Sequence, residues 1–332
     1  MGELKVLHAV KVHALPVCCW RKIMREADDS RRVLATESTG HSFSYEGENG
    51  PDHWAEEYQT CAGKFQSPID IEEHLVTQVR LPPLRFYHFD KEPVASTLTN
   101  NGHTVMLQLN ITKNPSVSGG PLRGIYVFQQ LHFHWGNNDS VGSEDTVNNH
   151  TFPLELHIVT YKKDYGNFDN ATSYKDGLAV FAVFYEIYGG DNPVYAKIIE
   201  RLPQVKEPNT EVHFNKGVTL GSLLPETKHL YFTYNGSLTT PPCLEVVTWI
   251  EFKQPILLSD NQVNAFRTLR SPEGELTHNF RPVQPLSGRP VWFNVADNYH
   301  IAPWGRNGVI SPFVTSFSLG IFLVLMLVAL QQ

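Results

Sequence analysis

Two short runs constrain this chain more than any other part of it: His132-Phe-His134-Trp135 and Glu155-Leu-His157. In extended backbone, side chains alternate between faces with period 2. His132 and His134 therefore share a face, and so do Glu155 and His157. Two such strands laid side by side bring three imidazoles to one point. Three neutral histidines with an open fourth position are the donor set of a catalytic zinc (Zn2+) site. Structural sites are usually closed by four protein ligands, often thiolates. Aimed into a cleft, that geometry turns water into hydroxide near neutral pH. A lone His-x-His is more often a surface pair or a satisfied core pair, so the weight falls on the second run and on Asn235-Gly-Ser-Leu-Thr-Thr-Pro-Pro-Cys243. A double Thr followed by a double Pro suits neither a helix nor a strand interior. It reads as a rigid loop presenting hydroxyls, or as an ordinary turn.

The rest of the chain is consistent with sheet. Turn signals recur at Pro82-Pro83, Gly119-Gly120-Pro121, Gly189-Gly190 and Pro241-Pro242. Between them lie runs rich in Val, Ile, Tyr, Phe and Thr: Thr104–Leu109, Ile125–Phe133, Leu154–Tyr161, Ala179–Ile187 and Leu244–Phe252. Many short strands in one predominantly β domain is the expectation. Pro193–Leu202 and Ser259–Leu269 are the helix candidates, the second with Ser259 as N-cap. With 27 basic and 34 acidic residues the net charge is −7, and no basic stripe appears, which excludes nucleic acid as a partner.

At this point the chain resembles the α-class carbonic anhydrases, from Tyr45 to Pro303. The resemblance is carried by Tyr45, Asn49-Gly-Pro51, Gln66-Ser-Pro-Ile-Asp70, Asn101-Gly-His103 and Gln130-x-His-x-His-Trp-Gly136. It continues through Gly142-Ser-Glu-Asp-Thr146, Glu155-Leu-His157, Ser237-Leu-Thr-Thr-Pro-Pro242 and Asn279-Phe-Arg281. It implies a single domain with a large twisted, mostly antiparallel central sheet and short peripheral helices. It also implies reversible hydration of carbon dioxide to bicarbonate and a proton, by attack of a zinc hydroxide. His132, His134 and His157 are then the zinc ligands. Gln130, Glu155 and the Asn279 carbonyl are the groups that hold their other ring nitrogens. Thr239 would accept the hydroxide's hydrogen bond and pass its own to Glu144. Thr240 resembles a bicarbonate contact. Val159, Val180, Leu238, Val247 and Trp249 stand at the positions of the apolar wall for carbon dioxide, although each alone reads as core. His103 occupies the place of the proton shuttle, with Tyr45 and Asn101 ordering the water between. Met106 is a departure, since soluble members often carry a polar residue there. A catalytically silent member acting as a binding or adhesion module is the alternative, and an extracellular esterase using the same hydroxide is a third reading.

The two ends bear on location. Phe313–Leu330 is a greasy run with no Lys or Arg after it, and the last basic residue is Arg306. A spanning helix usually carries cytoplasmic Lys or Arg. Small residues at Asn307-Gly308, a short spacer and an apolar tail instead match a glycosylphosphatidylinositol (GPI) attachment signal over 306–332, a tail-anchored or single-pass membrane helix being the alternative. That predicts a monomer tethered by a lipid to the outer face of the plasma membrane. Residues 1–40 conflict with this, because Lys11 and His13 break the apolar stretch of any signal peptide. They read as an atypical leader, disordered or not native, ahead of a catalytic domain at 41–305. By resemblance to extracellular members, Cys61 and Cys243 form a disulfide, the alternative being two buried thiols. Sequons at Asn110, Asn138, Asn149 and Asn170 fit a glycosylated surface, whereas the one at Asn235 lies beside the proposed site.

Overall fold

The two histidine runs do lie on neighbouring antiparallel strands, Leu122–Trp135 and Leu154–Lys162, deep in one large sheet. The computed structural model describes residues 43–295. The leader, the tail and the proposed anchor residues Asn307 and Gly308 therefore lie outside the described residues.

Among the described residues, twelve strands form the main sheet, ten of them along one path. From one edge these are Thr210–Asn215, Ala95–Asn100, Val105–Asn110, Leu122–Trp135 and Leu154–Lys162. The path continues through Leu178–Ile187, Val247–Leu258, Tyr231–Gly236, Trp292–Asn294 and Thr77–Val79. Only two neighbouring pairs are parallel, Leu178–Ile187 with Val247–Leu258 and Trp292–Asn294 with Thr77–Val79. The sheet is thus mixed but mostly antiparallel, as expected, and the helices are few and short.

The central strands are buried on both faces. Leu154 to Thr160 and Leu178 to Tyr185 are buried without a break. This is why their sequences run apolar continuously rather than alternating. Five expected strands are present with shifted ends. The last begins at Val247, because Leu244 is spent in the preceding loop, where its carbonyl accepts the Leu238 and Val246 N–H groups. It then continues past Phe252 to Leu258. Pro255, which cannot donate to a ladder, falls where the register with the neighbouring strand shifts.

Both helix candidates are shorter than expected. Ser259 caps Asp260–Phe266 in a full capping box with Gln262. Only Ala196–Ile199 is α-helical in the other, followed by a 3-10 turn at Leu202–Val205. Pro203 lacks an N–H and disfavours α geometry at Leu202, which breaks the helix there.

The disulfide Cys61–Cys243 is formed and closes a span of 182 residues. It joins the 3-10 turn Gln59–Ala62 to the end of the Thr239 loop. Loop entropy gives such a cross-link at most about 5 kcal/mol. Replacing both cysteines by serine should therefore lower the urea midpoint markedly, with a cost up to that figure. An unchanged midpoint would mean that the bridge contributes nothing to stability.

Candidate metal centre

Register decides where the histidines meet. His132 is paired directly with His157, and His134 with Glu155. Directly paired residues share a face of a sheet, so all four side chains point the same way. One ring nitrogen from each of His132, His134 and His157 lies within 4.8 Å of the other two. His134 and His157 are buried, while His132 is half-buried and marks the open side.

Each imidazole has its second nitrogen held by an acceptor. His132 Nδ1 meets Gln130 Oε1 at 3.0 Å, and His134 Nδ1 meets the Asn279 carbonyl at 2.7 Å. His157 Nε2 meets Glu155 Oε1 at 2.6 Å. In neutral rings these contacts place the protons on the held nitrogens. Nε2, Nε2 and Nδ1 are left as lone-pair donors converging on one point. Burial keeps the rings neutral: it holds His132 and His157 well below the ordinary histidine range and His134 down at about 4.

The donor set fits a metal ion for a second reason. His134 Nε2 and Glu144 Oε2 are buried, lie 3.4 Å apart, and have no hydrogen-bond partner. Two lone pairs facing each other in the interior are expensive unless a cation or proton lies near them.

Glu144 is fixed from its other side, where Oε1 accepts the Arg281 N–H at 2.9 Å. Burial pushes its carboxyl up to about 8, opposed by the Thr239 hydroxyl and by Arg281. A divalent cation at the imidazoles would also oppose the rise. Thr239 is thus close enough to act on Glu144, although no closed hydrogen bond reaches Glu144 Oε2. Thr240, half-buried, accepts the Cys243 N–H through its carbonyl at 2.8 Å.

The expected apolar wall is one cluster. Val159, Val180, Val247 and Trp249 are buried together, with Leu238 packed against them. Trp249 meets the His157 ring edge-on at 4.8 Å, joining the wall to the imidazoles. His103 is half-buried, and burial lowers its pKa despite the opposing pull of Glu273. Asn101 fixes the turn that presents it, accepting the N–H groups of His103 and Thr104 on Oδ1 at 3.0 and 2.9 Å. That oxygen is engaged by backbone, which leaves the amide group of Asn101 for any water. Tyr45 is buried and feels the Glu144 charge. The four proposed glycosylation asparagines, Asn110, Asn138, Asn149 and Asn170, are all exposed.

Sequence reasoning missed several groups. Asn279 contributes its side chain as well as its carbonyl, accepting from Trp135 N–H and donating to the His103 and Phe133 carbonyls. The buried Arg281 guanidinium donates to Gln66 Oε1 and to the carbonyls of Ser67 and Cys61. Tyr234 and Glu251 had no visible signal beyond their place in apolar runs, and Asp145 none beyond its place in the Gly142–Thr146 motif.

Sheet and site together define a β-sheet protein with a three-histidine centre fit for zinc. A family model described as eukaryotic-type carbonic anhydrase matches residues 49–295. Human carbonic anhydrase 7 is 41% identical over 259 residues, covering 76% of this chain and 96% of that protein. Carbonic anhydrase 6 of Mus musculus is 36% identical over 268 residues, covering 77% and 83%. The chain belongs to the carbonic anhydrase family, of the α type.

Removing any one imidazole, as in His134→Ala, should abolish stoichiometric zinc binding, read by metal analysis after dialysis. Gln130→Ala and Glu155→Gln should keep the ligands but weaken zinc about 10–100-fold. Equal losses in all variants would place the held nitrogens on the same footing as the donors.

Proposed function

We propose that this protein is an active carbonic anhydrase, interconverting carbon dioxide and bicarbonate at the outer cell surface. The observation that carries the reading is the convergence of three neutral, individually oriented imidazoles beside the Glu144–Thr239 pair and an apolar wall. Zinc held by His132, His134 and His157 supplies a Lewis acid that makes water acidic near neutral pH.

The chain's own groups do the rest. Thr239 accepts a hydrogen bond from the attacking water's O–H while donating its own to Glu144, which aims a lone pair at the substrate. An anion unable to donate to Thr239 is disfavoured by the same arrangement. Carbon dioxide offers no charge and no strong hydrogen bond, so Val159, Val180, Leu238, Val247 and Trp249 suit it. Thr240 contacts the bicarbonate formed. His103 carries the proton out, because its imidazole is only half-buried and lies outside the metal-facing set, whereas burial holds those three rings neutral. Tyr45 and Asn101 border that path, and Met106, paired with His132 across two strands, makes it less polar.

The disulfide and the exposed sequons support the secretory route, and the apolar tail supports a GPI anchor at Asn307 or Gly308. Among the described residues no helix is long and apolar enough to cross a membrane.

Stopped-flow hydration should show activity that a zinc chelator removes and added zinc restores. Zinc-loaded protein without hydration activity would make it the silent binding module instead. His103→Ala should lower turnover at saturation in weak, bulky buffer while sparing the second-order rate constant, because only the former reports proton exit. Added imidazole should restore it, and equal loss of both terms without rescue would assign His103 a structural role. Treatment of expressing animal cells with a phosphatidylinositol-specific phospholipase should release the protein. Retention, with the hydrophobic tail intact by mass spectrometry, would make it a transmembrane protein.

A further inference from the structure

The row of side chains that holds His157 continues across the sheet. His157 is paired with Ala182, Ala182 with Glu251, and Glu251 with Phe232. Glu251 therefore shares the face of the histidines, two strands away, with only the methyl of Ala182 between. There it meets two further carboxyls: acceptor oxygens of Asp145, Glu155 and Glu251 lie within 4.8 Å of one another, and all three residues are 0% exposed. Three carboxylates at that spacing, away from water, cannot all be charged.

Their hydrogen bonds set the three apart. Glu155 has three partners: the N–H groups of Glu144 and Asp145 at 2.8 and 3.1 Å, and His157 Nε2 at 2.6 Å. Asp145 has two, both on Oδ1: the Ile69 N–H at 2.9 Å and the Tyr234 hydroxyl at 3.0 Å. Glu251 has none. Both its oxygens are buried without a partner, and so is Asp145 Oδ2. An anion on Glu251 would have no donor at all. A proton there supplies the one donor that Asp145 Oδ2 lacks.

We infer that Glu251 is a neutral carboxylic acid donating its proton to Asp145 Oδ2, a positioning residue that leaves Glu155 as the acceptor for His157. The electrostatics agree. Burial pushes Glu251 well above the ordinary carboxyl range, and Asp145, Glu155 and Glu144 push the same way. Burial raises Asp145 and Glu155 as well, but in each case hydrogen bonds oppose it. The other groups facing this cluster are the Tyr234 hydroxyl and Arg289, whose charge favours the Asp145 anion. Lys253, on the Glu251 strand, is paired with Glu73. The consequence for the imidazole rests on the metal-centre reading, but the protonation of Glu251 does not.

The test uses zinc-loaded protein with glutamate carboxyl carbons labelled with carbon-13. The resonance lost in Glu251→Gln should sit at the shift of a protonated acid at neutral pH, where ordinary carboxyls are ionised. A carboxylate shift at neutral pH would overturn the inference. The sign of the stability change follows from linkage. A carboxyl with a raised folded-state pKa makes folding less favourable as pH rises above its unfolded value of about 4.3, until the folded pKa is passed. Over that window the unfolding constant of the wild type, relative to Glu251→Gln, should grow about tenfold per pH unit. A ratio independent of pH would also overturn it. Zinc affinity separates positioning from mere packing. Glu251→Gln keeps a donor for Asp145 and should retain wild-type affinity, whereas Glu251→Ala should lose about 10–100-fold. Equal loss in both, or a second metal equivalent that disappears in Glu251→Gln, would replace the shared proton with another role. A protein that binds zinc but hydrates no carbon dioxide would leave the resonance and unfolding results standing.

Discussion

Glu155 sits unhydrated in the middle of the sheet, and its carboxylate ties together parts of the chain that the site cannot do without. Oε1 holds the His157 ring, while Oε2 takes the N–H groups of Glu144 and Asp145. An ionised carboxyl in such surroundings is tolerable only with several donors. The same requirement that satisfies Glu155 therefore fixes the turn that carries Glu144. One buried carboxyl group sets both the orientation of a metal-facing imidazole and the position of the group opposite Thr239. The fold cannot move one without disturbing the other.

A second joint runs through Asn279 and Arg281. Asn279 bonds to Trp135, Phe133, His134 and His103 through four different atoms, stapling the first histidine strand to the turn presenting His103. Two residues on, the Arg281 N–H reaches Glu144 while its guanidinium binds Gln66 and the carbonyls of Ser67 and Cys61. Gln66 in turn donates to the Cys243 carbonyl at 3.1 Å. Segments far apart in sequence are thus held around the centre by backbone carbonyls and N–H groups, some on the strand Leu122–Trp135 and the rest in the loops around it. Side-chain networks of this kind specify one arrangement only when every member is satisfied.

What could be read from the chain follows from this division. The imidazoles and Glu155 were legible because period 2 converts spacing into facing, and a strand pair then needs only its register. The central strands were legible as continuous apolar runs. The Glu251 position was not, because its meaning lies in contacts two strands away and in a loop of remote sequence number. Tyr234 looks like any aromatic in a strand until its hydroxyl is seen to meet Asp145. The apolar wall was ambiguous for a physical reason: Val159, Val180 and Trp249 are core residues, and the same burial that stabilises the sheet lines the site. Boundaries failed where proline intervened, at Pro203 and Pro255, since its missing N–H acts on the ladder or helix rather than on hydrophobic pattern.

Location and chemistry meet at Cys243. Its φ of 52° lies in the left-handed region, which a residue with a Cβ occupies only when its surroundings impose it. Three constraints do so: the bridge to Cys61, the N–H bond to the Thr240 carbonyl, and the Gln66 amide on its own carbonyl. The backbone held in this way is the exit of the loop that carries Thr239 and Thr240. A thiol at this position would leave two hydrogen bonds to maintain a strained conformation. The covalent bridge needs an oxidising compartment to form and persist. The shape of the Thr239–Thr240 loop is therefore tied to the redox conditions in which the chain folds, and the cross-link that stabilises the domain is also the one that holds the exit of that loop.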